Sequence, residues 1–196
     1  MTPLAPVTIG MVGLSFALWS NSLLLMGVDA EPATVGGPSP AKSVAAVGST
    51  IGAITLTFMS LFLVIASPLG SDPTSVKVQL LFSAISGMYG LQFLGLAIVQ
   101  FKEYDMRIFG NITLLGVPLQ IIEMILLATY ADEAGMSGLH LFFQELVLAS
   151  FTVLGLGIWA ATHGRLPTKK VGWMAIAALL GTWYFLFVSG GLVKAP

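Results

Sequence analysis

Uncharged hydrogen-bonding side chains recur inside the apolar runs of this sequence. Asn21 lies in "FALWSNSLLLMG", Gln92 in "SGMYGLQFLGLA", Gln120 in "GVPLQIIEMILL" and Thr182 in "ALLGTWYFLF". An unpaired polar group in hydrocarbon costs roughly 2–7 kcal/mol, so each of these groups needs a partner. The partner can be a neighbouring helix, at about 0.6–2 kcal/mol per contact. It can also be a small polar solute whose lost water these amides and hydroxyls replace.

Two carboxyl groups, Glu123 and Glu145, also fall inside apolar runs. Intramembrane carboxyls usually face a protein interior or a water-filled cavity and have a function. Three roles remain open for them: an outer vestibule, a proton site, or a protonated structural contact. The two histidines, His140 and His163, are predicted at opposite sides of the membrane, too far apart to share a metal ion. No catalytic or nucleotide-binding motif is present, so we expect no metal, no cofactor and no enzyme.

The composition is that of an integral membrane protein. Of 196 residues, 56% are hydrophobic and 9% are charged, with a mean hydropathy of +0.93. A soluble domain has about 25% charged residues, so this chain could not cover its surface in water. We therefore expect membrane lipid around it. The net charge of -1 gives no reason to expect a nucleic-acid partner.

Six runs are long enough to cross a bilayer as helices, which takes about 20 apolar residues each. Polar or Gly/Pro-rich joins such as "SPLGSDPTS" and "ADEAGMSG" separate them. "MTPLAPVT" lacks the positive start of a cleavable signal peptide, so we expect the first run to be retained. No join is long enough for a second domain, which predicts one all-α transmembrane domain over residues 1–196, a six-helix bundle. The predicted spans are residues 8–28, 44–67, 77–101, 107–130, 138–162 and 171–192.

Basic residues predict how the bundle is oriented. The joins after the first, third and fifth spans hold most of the Lys and Arg, whereas the other side has only Lys77 and Lys194. Cytoplasmic loops of membrane proteins carry the excess of basic residues, so we expect both termini outside. The basic residues on the predicted cytoplasmic side are Lys42, Lys102, Arg107, Arg165, Lys169 and Lys170.

Position along each span predicts the depth of its polar groups, at a helical rise of about 1.5 Å per residue. On this estimate the four amide and hydroxyl groups named first lie near one level, on four different helices. Tyr89, Gln92 and Phe93 share a helical face by their i, i+3, i+4 spacing. Helix–helix contact and a narrow pore for a small uncharged solute both remain open. The aromatic residues at this level are Trp19, Tyr89, Phe93, Trp183 and Tyr184.

Three short stretches resemble the AmiS/UreI family of urea and short-chain amide channels. In the first, "ALWSNSLLLMGVDAEP", an aliphatic run precedes a mid-helix Asn and then "VD". The second is "GLQFLGLAIVQFKEYD" at the end of the third span, and the third is "GRLPTKKVGW" before the sixth. Length, number of spans and predicted outer termini agree with the family over the whole chain.

The resemblance implies a six-helix protomer that carries its own pore and assembles as a homo-oligomeric ring, a hexamer in the urea channels. It implies a multi-pass protein of the inner membrane of a bacterium. It also implies passive conduction of urea or amides toward a cytoplasmic urease or amidase. Carried over by position, Met11, Leu14 and Leu18 line the first span, and Tyr89 and Phe93 line the third.

The fifth and sixth spans depart from the family pattern. Where the urea channels have paired tryptophans, this chain has Ser150 and Leu154, within one residue of alignment error. Ala178 takes the place of a carboxylate of the acid-gated members, and their histidine-rich outer loops are missing. We therefore do not expect acid gating, and the solute filter is expected to be wider or shaped for another amide.

Two alternative functions remain beside the channel. One is a small non-catalytic subunit of a larger membrane complex, and the other is a proton-coupled transporter that uses Glu123 and Glu145. Gly48 and Gly52 form a small-xxx-small face, for packing inside the protomer or between subunits. The predicted pore-lining and solute-binding residues are Met11, Leu14, Leu18, Asn21, Tyr89, Gln92, Phe93, Gln120, Glu123, Glu145, Ser150, Leu154, Thr182 and Trp183.

Overall fold

The computed structural model describes residues 5–32, 34, 37 and 39–189. It is all-helical, and six of its helices are long and apolar enough to cross a membrane. This confirms the predicted class and the six spans of a multi-pass membrane protein. Residues 190–192 of the predicted sixth span lie outside the described residues. The helices are α1 Ala5–Met26, α2 Pro40–Ala66, α3 Pro73–Lys102, α4 Met106–Ala131, α5 Gly138–Thr162 and α6 Thr168–Ser189.

Four helices, α1, α2, α3 and α6, begin three or four residues before the predicted spans. At α3 the start is set by the cap rather than by the first apolar residue. At α3 the Asp72 carboxylate accepts hydrogen bonds from the backbone N–H groups of Thr74 and Ser75, at 3.1 and 2.9 Å. Pro73 occupies the first helical position, where its fixed φ suits the helix and its missing N–H costs nothing. Both features lie upstream of the predicted start at residue 77.

The six helices form a closed ring. Each helix packs against the one before and the one after it in the chain, and α6 returns to pack along α1. Packed helices lie about 8–10 Å apart, so in a regular ring of six the axes lie about as far from the centre. Each helix with its side chains extends about 5–6 Å from its axis. The ring therefore leaves a narrow lumen along its centre.

Connections divide the bundle into two ends. We call the end where α1 begins the first end, and it also holds the connections 67–72 and 132–137. The second end holds 103–105 and 163–167, along with the basic residues predicted to be cytoplasmic. Each end has an exposed ion pair between two elements. Lys77 pairs with Glu133 at the first end and Lys42 with Glu103 at the second end, with N–O distances of 3.0 and 3.1 Å. Exposed pairs contribute about 0–1 kcal/mol each, so the ring is held together mainly by packing.

Helices α1 and α2 approach each other closely through the small-residue face of α2. A Cβ placed on Gly52 would lie 2.6 Å from the Cβ of Ala17, and one on Gly48 would lie 1.9 Å from Ser20 Oγ. Both distances are far below van der Waals contact, so only glycine fits at these positions. The Gly48/Gly52 face thus packs inside the protomer.

Candidate functional site

The lumen of the ring holds two cavities, one at each end. The first-end cavity has a volume of about 710 Å³ and extends from the connections at residues 69–75 and 133–137 to the middle of the bundle. The second-end cavity, of about 470 Å³, extends from Ala41 and Met106 to the same level. Tyr89 and Phe151 line both cavities. The cavities therefore meet at these two aromatic side chains.

Tyr89 on α3 and Phe151 on α5 form the narrowing between the cavities, which we call the neck. Their ring centroids are 4.8 Å apart and the ring planes are inclined by 45°. Each residue is only 6% exposed. Because α4 lies between α3 and α5 in the ring, this contact reaches across the lumen. Tyr89 belongs to the predicted set, whereas Phe151 does not and follows the predicted Ser150 by one residue.

Most of the cavity wall is apolar, with side chains from α1, α3 and α5. The residues predicted by resemblance divide between the two cavities on either side of the neck. Met11 and Leu14 line the first-end cavity, and the second-end cavity is lined by Leu18, Phe93 and Leu154.

Helix α4 presents a polar face to the neck. Gln120 and Glu123 are buried, at 2% and 7% exposure, and Leu127 lies one turn further on the same face. Gln120 lines the second-end cavity and Leu127 lines the first-end cavity, so Glu123 lies between them at the level of the neck. The side chains of Gln120 and Glu123 both lie near the Tyr89 hydroxyl.

Among the residues that the structure describes, three buried oxygen atoms at this level have no hydrogen-bond partner: Tyr89 Oη, Gln120 Oε1 and Glu123 Oε2. Leaving a buried polar atom unsatisfied costs about 1–3 kcal/mol, and folded proteins contain few such atoms. Here they gather where the two cavities meet. Such a group of atoms can hydrogen-bond a polar solute once the two rings part to admit it.

Gln92 brings a further amide to the same place. A Cβ on Gly116 would lie 2.5 Å from Gln92 Nε2 and 3.8 Å from Gln120 Nε2. Gly116 therefore makes room for the Gln92 amide beside Gln120, and both residues line the second-end cavity. The structure thus brings together the predicted Gln92 and Gln120 from α3 and α4.

Asn21 is bonded to neighbouring helices. Its Nδ2 donates to Ser49 Oγ at 3.0 Å, and Ser49 Oγ donates to Gln100 Oε1 at 2.9 Å. Gln100 Nε2 closes the ring by donating to Asn21 Oδ1 at 2.8 Å. We call this the Asn21 triangle, and it joins α1, α2 and α3. Ser49 ends a π-helical turn of α2, Ala45–Ser49, a type of irregularity that is frequent at functional sites.

The Asn21 triangle also lies at a cavity wall, because Asn21 and Gln100 line the second-end cavity. Asn21 uses its second N–H on the Ala17 carbonyl at 2.8 Å. Both hydrogens of the Asn21 amide are therefore committed within the protein. These contacts fit the interpretation of Asn21 as a helix–helix contact. The same side chain also lines the second-end cavity.

A second polar network lines the first-end cavity. His140 contacts the Tyr184 hydroxyl through Nδ1, and its Nε2 lies 2.7 Å from Gln144 Nε2. Gln144 is buried and its Oε1 has no partner. Thr182, predicted near the midplane, lines this cavity and donates to the Ala178 carbonyl at 2.9 Å. The four amide and hydroxyl groups predicted at one level are therefore spread over both cavities.

Four predicted residues, Glu123 and three others, line neither cavity. Glu145 is partly buried with an unpartnered Oε1, Ser150 donates to the Val147 carbonyl at 2.6 Å, and Trp183 is 39% exposed on the bundle exterior. Glu123 and Glu145 are not electrostatic partners of each other in the described part of the chain. The structure thus does not bring the two carboxyls together.

Sequence reasoning missed Phe151, Gln100 and Gln144. Gln144 follows His140 by four residues, a spacing that places both on one helical face. Within the described ranges no group of three or more His, Cys, Asp or Glu residues could hold a metal ion. Comparison with protein-family models, curated proteins and solved structures found no match for this chain.

Proposed function

We propose that this chain is a passive channel that conducts urea or short-chain aliphatic amides through the lumen of each protomer. The observation that carries the proposal is the group of unpartnered oxygens beside an aromatic neck, where cavities from the two ends of the bundle meet. A solute must shed water to pass such a neck, and hydrogen-bonding groups fixed there replace the water it loses.

The shape and polarity of the neck favour a flat, neutral solute. The two aromatic rings are in contact, so a solute passes only when they part, and the flat faces of urea and simple amides require little separation of the rings. The rest of the wall is apolar, and taking a charge out of water into such surroundings is very costly. Ions are therefore disfavoured, while a neutral solute with N–H and C=O groups can bond to the Gln92 and Gln120 amides.

The stretches that resemble the AmiS/UreI family support the proposal, because their residues lie in the lumen. "ALWSNSLLLMGVDAEP" contains Leu18 and Asn21, and "GLQFLGLAIVQFKEYD" contains Gln92, Phe93 and Gln100. Membership of that family, assembly as a homo-oligomeric ring and a place in a bacterial inner membrane belong to the same proposal. The proton-coupled alternative requires Glu123 and Glu145 to act together, and no contact between them favours it.

The proposal is tested by flux through reconstituted protein. Proteoliposomes are mixed rapidly with urea, acetamide or glycerol, and swelling is followed by light scattering. We expect urea and acetamide to enter faster than into empty liposomes, and glycerol not to do so. Phe151→Trp, which overfills the neck, is expected to bring the urea rate toward that of empty liposomes. Trp183→Phe, an aromatic change on the bundle exterior, serves as the control and is expected to conduct like the wild type.

Two results would contradict the channel. One is a wild-type protein that is folded and inserted but conducts urea and acetamide no faster than empty liposomes. The other is a folded Phe151→Trp variant that conducts both solutes at the wild-type rate, since the proposed path passes between Tyr89 and Phe151.

A further inference from the structure

We infer that Gln120 and Glu123 set the solute preference of this channel by accepting N–H hydrogen bonds at the neck. A solute with more N–H groups is then conducted faster than one of the same size with fewer. This inference rests on the proposed function and assigns the preference to two residues of one helix face.

The unpartnered atoms that α4 contributes are oxygens. The side chains of Gln120 and Glu123 lie on one face of the helix near the Tyr89 hydroxyl, and among the described residues their Oε1 and Oε2 atoms are buried without a hydrogen-bond partner. An amide carbonyl oxygen has lone pairs and no hydrogen, and a neutral carboxyl group keeps one such oxygen beside its single O–H. This part of the neck therefore favours a solute that donates.

Hydroxyl groups along the lumen add to this preference. Thr113 Oγ1 donates to the Gly110 carbonyl, Ser86 Oγ to the Phe82 carbonyl and Thr182 Oγ1 to the Ala178 carbonyl, at 2.8, 2.8 and 2.9 Å. A hydroxyl has one hydrogen, so each of these groups has only acceptor capacity left. All three line a cavity. Acceptors are thus present on both sides of the neck.

Donors are present in the same region as well, since the amide nitrogens of Gln92 and Gln120 both lie near Gly116, but the unpartnered buried atoms of the described residues include neither nitrogen. The Gln92 amide nitrogen lies beside Gln120, and it can donate to the one oxygen of urea or of an amide. Urea has four N–H groups for the acceptors, whereas acetamide has two and carries a methyl group of similar size in place of the second NH₂. The pair urea and acetamide therefore tests N–H number at nearly constant size.

The test is the ratio of urea to acetamide permeability in the same proteoliposomes, after subtraction of empty-liposome rates. We expect a wild-type ratio above one. Gln120→Met and Glu123→Met keep side-chain length but remove the acceptors. A lost hydrogen bond corresponds to roughly a three- to tenfold change in rate, and we expect the ratio to fall by about that factor. Glu145→Met, which removes a partly buried carboxyl of α5 rather than one near the Tyr89 hydroxyl, is the matched control and is expected to keep the wild-type ratio.

Glu123→Gln and Gln120→Asn are milder changes that guard against a result caused by misfolding. Both variants retain an acceptor oxygen, so we expect urea-to-acetamide ratios between those of the wild type and the Met variants. Folded Gln120 and Glu123 variants that conduct with an unchanged ratio would overturn this inference and leave the channel proposal standing. An equal fall of the ratio in Glu145→Met would also overturn it, because the preference would then not belong to the neck. A wild-type protein without urea flux would instead overturn the channel proposal, and this inference with it.

Discussion

At the residue scale, the Asn21 triangle connects a polar side chain of α1 to partners far away in the sequence. Gln100 lies 79 residues from Asn21 in the sequence. Its Nε2 donates to Asn21 Oδ1, and its Oε1 accepts from Ser49 Oγ, which in turn accepts from Asn21 Nδ2. All three side chains are buried. Because the partners replace the water that these amides lose, the triangle is expected to stabilise the junction of α1, α2 and α3.

Gln100→Leu is expected to lower the free energy of unfolding by about 1–3 kcal/mol, since it leaves Asn21 Oδ1 and the Ser49 hydroxyl without their partners. The measurement is the unfolding of purified protein in detergent, compared with Gln92→Leu, whose amide is only partly buried. The double variant Asn21→Leu/Gln100→Leu is expected to cost less than the sum of the single changes, because groups in one network are coupled. Strict additivity would contradict the triangle.

The candidate site was partly predictable from single residues. Depth along a span singled out Gln120 and Tyr89. A lone amide or phenol in the middle of an apolar run is informative even when its partners in the fold are unknown. Gln100 and Gln144 were missed because each lies near a helix end, where polar residues are ordinary. Phe151 was missed because an aromatic residue in an apolar helix has no distinguishing neighbour in the sequence, and only the opposed Tyr89 ring reveals its role.

At the element scale, the starts of helices depend on groups outside the membrane. Asp105 precedes α4 and its carboxylate accepts from the backbone N–H of Arg107 at 2.9 Å and from the Arg107 Nε at 2.8 Å. The Arg107 side chain, with a smaller effect of His163, lowers the pKa of Asp105 to about 2. The sequence predicted the span itself from hydropathy but not its cap, since capping is a matter of a single residue's geometry.

The lowered pKa of Asp105 predicts how the stability of the protein changes in acid. An unfolded Asp titrates near pH 3.9, about two units above the folded value, so the ionised carboxylate stabilises the fold above pH 4 and this contribution is lost as the pH falls toward 2. Asn is also a good cap, so Asp105→Asn removes mainly the charge. We expect the melting temperatures of wild type and Asp105→Asn to differ at pH 5 and to converge by pH 2. A difference that stays constant over this range would contradict the assignment.

At the scale of the whole molecule, the ring of six follows from the order of the helices. Short connections make each helix pack beside the next, and six apolar spans were readable from hydropathy. The sequence did not reveal that the ring closes between α1 and α6, because that contact joins the two ends of the chain. The lumen is a property of this closure, and no single helix contains it.

The orientation predicted from basic residues is tested with cysteines, since the chain contains none of its own. Asp132→Cys lies at the first end and Thr168→Cys at the second end, both exposed. In intact cells a membrane-impermeant maleimide is expected to label Asp132→Cys alone, and both variants after permeabilisation. Labelling of Thr168→Cys alone in intact cells would reverse the orientation.

The neck has a consequence for the rate at which the channel conducts solute. If the two cavities are separated only by the rings of Tyr89 and Phe151, a solute waits in one cavity until thermal motion parts the rings. Side chains reorient in picoseconds to nanoseconds when free, but these rings are packed and must push against their neighbours to move. Passage is then an activated step whose rate rises steeply with temperature, which an Arrhenius plot of urea flux measures. The throughput of the channel would be set by the stiffness of two side chains, whatever the size of the cavities on either side.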